Sequence, residues 1–107
     1  MTAKFLPFTA VQPGAVRQIN FPLHALTVDQ GDVGELLTTL LDGITQQIRT
    51  RESVSDGDLL QALCMALAIR MHMVEAAPGA VRTLVAEILE QADEAVAESV
   101  IEPAGQA

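Results

Sequence analysis

From Val33 onward the apolar residues fall at Val33, Leu36, Leu37, Leu40, Leu41, Ile44 and Ile48, steps of three and four that draw one face of a helix over four turns. The pattern predicts a first helix over about 32–50. Asp29, Asp32 and Glu35 stand at its start and Arg49 and Arg51 at its end, so both termini suit the helix dipole. Gly34 and Gly43 each cost about 1 kcal/mol relative to Ala in a helix interior, and Gly43 borders the apolar face. Close passage of a neighbouring backbone is expected there.

A second helix is expected over about 55–76, opened by Ser55, which with Asp58 resembles a capping box carrying Asp in place of the usual Glu, and closed by Pro78-Gly79. At 100° per residue its polar positions Asp58, Gln61, His72 and Glu75 share one narrow stripe with Met65 and Ala68. The rest of its circumference is apolar. Such a helix either runs through the middle of a bundle or lends part of its surface to another chain, and the small domain favours self-association as a homodimer.

The third helix, about 79–101, turns Val81, Leu84, Val85, Ile88, Ala92, Ala95, Val96 and Val100 inward, and the short link before it predicts an antiparallel return against the second. Glu87, Glu90, Glu94, Glu98 and Glu102 follow one another along its outer face, with Asp93 beside them. Each like-charge pair costs about 0.2–0.5 kcal/mol, and acid near a C-terminus opposes the dipole, so the stripe disfavours the helix that carries it.

Residues 1–28 break the helical pattern. Pro7, Pro13 and Pro22 each remove a backbone donor and push the preceding residue toward extended geometry. An extended arm results, with Gln12-Pro13-Gly14 as a turn signal between stretches able to pair as a short β-hairpin. Its anchors are Phe5, Phe8 and Phe21, which either cover one end of the helices or cross to a second subunit. The fold expected is all-α: a three-helix antiparallel bundle with an N-terminal arm (1–28), a helical body (29–102) and a mobile tail (103–107).

Composition bounds this to one small folded domain, for 107 residues with 50% hydrophobic content can bury about two-thirds of their unfolded surface. The net charge of -8 is uneven. Residues 1–28 hold Lys4 and Arg17 and no acid, whereas the rest holds four Arg against fourteen acids. The longest apolar run, Leu59 to Val74, is broken by Gln61, Arg70 and His72 and is too short for the roughly 20 residues of a bilayer span. With a lone Cys64 and no signal-like N-terminal stretch, a reducing cytoplasm is the expected compartment and no membrane association is expected.

Arg70 raises the sharpest question, because it projects near the middle of the second helix's apolar face. It requires either an internal pair with Asp42, Glu87 or Glu90, or a carboxylate at an interface. Met71 and Met73 flank His72 but point about 200° apart, and Cys64 and His72 share no face, so no metal site is expected and the methionines are packing or contact residues. There is no glycine-rich phosphate loop, no Cys-x-x-Cys, no His-Glu-x-x-His, no Gly-x-Ser-x-Gly and no calcium loop. Neither an enzyme nor a cofactor is expected. Nucleic-acid binding is disfavoured as well, since Arg49 with Arg51 is the only close basic pair and no Tyr or Trp offers a stacking surface.

The expected role is a non-enzymatic interaction module, such as an adaptor, assembly factor or accessory subunit, self-associating through 55–76. Arg70, Met71, Met73, Glu87, Glu90, Glu94 and Glu98 are its candidate contact residues. Two alternatives stand beside it: a binder of an apolar small molecule between helices, and an acidic antagonist that imitates a phosphate row toward a basic protein.

Overall fold

The computed structural model describes residues 4–103, in the order β1 (Phe5–Gln12), β2 (Ala15–Pro22), α1 (Gln30–Thr50), α2 (Asp56–Met73), α3 (Pro78–Ala97) and β3 (Val100–Pro103). The three strands form one antiparallel sheet in the order β1-β2-β3. The all-α, three-helix bundle expected from the sequence is therefore wrong: the chain is α+β.

Two local causes account for the difference. In the arm, Pro13 supplies a fixed negative φ and Gly14 adopts φ 75°, the positive value that the third position of a tight turn needs, so β1 and β2 pair in full register from Phe5 opposite Pro22 to Gln12 opposite Ala15. At the other end, α3 stops at Ala97 rather than near 101. The acidic residues of its last turns oppose the dipole, and the β-branched Val100-Ile101 pair instead with Gln18 and Arg17 of β2. What the periodicity extended as helix is the third strand.

The remaining helix ends follow their caps. Asp29 Oδ1 accepts from the Asp32 N–H at 3.1 Å at the start of α1, and Ser55 Oγ accepts from the Asp58 N–H at 3.0 Å at the start of α2. Val74, extended at φ -77° and ψ 131°, ends α2 short of the expected Ala76, and Pro78 opens α3 at the position where a missing N–H costs nothing. The tail beyond Pro103 lies outside the described residues.

The chain divides into two compact units, Met1–Gly34 with Ala86–Ala107, and Glu35–Val85. In the first, Ile19 is buried and shares its sheet face with the half-buried Leu6, Phe8, Arg17 and Phe21, alternation doing the sorting along β1 and β2. Phe8 and Phe21 meet at 6.4 Å between ring centroids, and the place where a Cβ would stand on Gly34 lies 3.5 Å from Leu6 Cδ1, seating the start of α1 against β1. Phe5 remains exposed.

The second unit holds most of α1, all of α2 and the start of α3, and its buried residue is Val81. Within it no Cα of α1 comes within 8 Å of a Cα of α2, so these helices do not run side by side as bundle partners.

Candidate functional site

A helix rich in Leu, Ile, Met and Ala ordinarily hides one face, and α2 hides none. Apart from the half-buried Leu59 and Met71, every position from Asp56 to Met73 is exposed. Leu60 is 61% exposed, Ile69 58% and Met65 56%, with Leu60 on the opposite side of the axis from Met65 and Ile69.

Arg70 has no carboxylate beside it. Its Nη1 lies 3.2 Å from Met73 Sδ, one turn along the same helix, and among the described residues of its own unit the expected internal pair with Asp42 is not formed. Met71 is half-buried against a hollow of about 60 Å³ lined by His72, Val74, Pro78, Val81 and Arg82, room for water but not for a ligand. Met73 is exposed. Arg70, Met71 and Met73 thus occupy the last turn of α2 without converging on a common point.

Between α1 and the first turns of α2 lies an open groove of about 700 Å³, with Leu40, Gly43, Ile44 and Ile48 on one wall and Leu59 and Ala62 on the other. Beyond the backbone of α1 itself and the two adjoining residues, no heavy atom lies within 4 Å of the place a Cβ would take on Gly43. The close backbone expected at Gly43 is absent from the chain itself, and that wall of the groove stands open.

Glu90 and Glu94 are exposed along α3, and Glu98 is exposed in the turn just after its end. Glu87 differs from them, its Oε2 standing at hydrogen-bond distance, 3.3 Å, from His24 Nε2. The two units also differ in charge: the second carries four arginines against six acids, a net of -2, and the first carries Lys4 and Arg17 against eight acids, a net of -6.

Sequence reasoning passed over Arg17. Half-buried on the inner face of β2, it donates through Nη1 to the Val96 carbonyl at 3.3 Å and to Ser99 Oγ at 3.0 Å, and through Nε to Gln12 Oε1 at 3.3 Å. It ties the free carbonyl end of α3 to the sheet and puts a cation where the dipole favours one. The only hint in the sequence is a charge set within an otherwise apolar alternation, Arg17, Ile19, Phe21.

Among the described residues, no three His, Cys, Asp or Glu side chains gather as a metal site, no buried side-chain polar atom lacks a partner, and no helix is long and apolar enough to cross a membrane. Compared with known proteins, the chain matches no protein family, no curated protein and no solved structure.

Proposed function

We propose that this chain is a non-enzymatic protein-interaction module of the cytoplasm, an adaptor, assembly factor or accessory subunit, that self-associates as a homodimer through α2. One observation carries the reading: a Leu-, Ile- and Met-rich helix of 18 residues has no buried residue within its own chain. At about 25 cal/mol per Å² of apolar surface removed from water, covering even one face of such a helix in each of two copies supplies several kcal/mol toward association. The unit bearing α2 is also the less charged one, so a second copy meets little repulsion there.

Light scattering after size-exclusion chromatography, run across a dilution series, tests this. The expected mass is about 23 kDa, twice that of the chain. A species of single-chain mass at every concentration, including the highest, contradicts self-association.

The groove between α1 and α2 supports a second reading, a carrier of an apolar small molecule, because its volume and apolar walls fall within the range of ligand sites. Native mass spectrometry of protein purified from its source separates the two. A retained ligand adds a few hundred daltons per chain, whereas self-association doubles the mass.

A further inference from the structure

The apolar circumference of α2 has a polar punctuation that fixes how a second copy would lie on it. Asp56, Leu60, Leu63, Leu67 and Arg70 follow one another at steps of four, three, four and three, the spacing of a coiled-coil seam. All five are exposed, Leu60 at 61%, Leu67 at 43% and Leu63 at 42%. Three leucines occupy the middle, an acid one end and a guanidinium the other.

From this we infer that α2 pairs with α2 of a second copy in antiparallel orientation along this seam, the two-fold axis passing near Leu63. The inference rests on the self-association reading above and adds the surface, the orientation and the charged pairs. A parallel pair would set Asp56 against Asp56 and Arg70 against Arg70, with the helix dipoles aligned. The antiparallel pair opposes the dipoles and brings each Arg70 to the height of the partner copy's Asp56, twice by symmetry. Arg70 is available for this contact, since its neighbour within the chain is the weakly accepting Met73 thioether rather than a carboxylate. The leucine ridge between the charged ends is the part that excludes water.

Charge reversal and cysteine pairing test the orientation, each read beside the wild-type mass. Asp56→Arg and Arg70→Asp each weaken dimerisation about tenfold or more, and the double variant restores it to within about threefold of wild type, because the pairs reform with their signs exchanged. Effects on helix capping or the dipole would add rather than cancel, so restoration reports the pair itself. In a Cys64→Ala background, a mixture of chains carrying Leu60→Cys and chains carrying Leu67→Cys forms a mixed disulfide under mild oxidation. Leu60→Cys alone does not, its two copies being offset by about 9 Å along the axis.

A wild-type chain that is monomeric overturns both this inference and the self-association reading. A wild-type dimer whose charge reversals are neutral, or fail to compensate, overturns the seam alone. So does a wild-type dimer in which Leu60→Cys links to itself, since that geometry is parallel.

Discussion

The two units of this chain hold their structure by different means. In the sheet unit, polar side chains reach across the sequence: Arg17 bonds Val96 and Ser99, Thr9 Oγ1 donates to Gln18 Oε1 at 2.7 Å across β1 and β2, Gln30 donates to the Phe5 carbonyl, and His24 meets Glu87. In the helical unit, Ser55 with Asp58, Thr50 with Gln47 and Thr83 with Gly79 are bonds between residues three or four apart. One unit specifies how its elements meet. The other specifies only where its helices begin and end, and leaves their apolar sides exposed. The difference teaches where to look for function, since a surface that its own chain does not organise is the one open to organisation by another.

The largest effect expected from breaking this contrast comes at Leu63. A Leu63→Glu chain puts two carboxylates into the proposed seam, and its dimer dissociation constant rises about 1,000-fold by sedimentation or dilution chromatography, while far-UV circular dichroism of the chain retains its strands. Ile19→Ala attacks the other unit. Removing most of a side chain that is only 6% exposed costs about 2–4 kcal/mol, seen as a lower urea midpoint for loss of the sheet. Arg17→Met keeps the aliphatic stem and loses the bonds to α3, lowering stability by about 1–2 kcal/mol and speeding hydrogen exchange at Ile101, which pairs opposite it. The smallest effect is at Ser55→Ala, where losing the cap costs about 1 kcal/mol, read as reduced helicity on heating with the sheet unaffected. Should Ile19→Ala abolish dimerisation as completely as Leu63→Glu does, the division of labour between the units would fail.

Much of the helical unit was legible in the sequence, because its signals are local. The three-and-four spacing from Val33 to Ile48 marks α1, and Ser55 with Asp58 marks the start of α2 within one residue. The hairpin was readable from Gln12-Pro13-Gly14 for the same reason. β3 was not, because Val100 and Ile101 satisfy the helical period of the preceding turns, and only pairing with β2, some eighty residues earlier, distinguishes strand from helix there. Arg17 escaped likewise, its partner carbonyl at Val96 being created by the end of a helix that was expected to continue. Arg70 was legible as an anomaly, and the structure supplies its surroundings: an exposed guanidinium at the end of a leucine ridge. The seam from Asp56 to Arg70 was present in the spacing, hidden by the sheer number of apolar residues around it.

The pairing of β2 with β3 has a consequence for the order in which the protein is made. Since the central strand β2 and its second neighbour β3 are separated in the chain by the whole of Glu35–Val85, a nascent polypeptide leaving the ribosome cannot finish its sheet until that segment has been made. The segment Glu35–Val85 is complete earlier, so α2 emerges with its greasy surface bare while the first unit still waits for its closing strand. The pairing proposed for α2 is therefore open to neighbouring nascent chains on one messenger before either has a finished sheet.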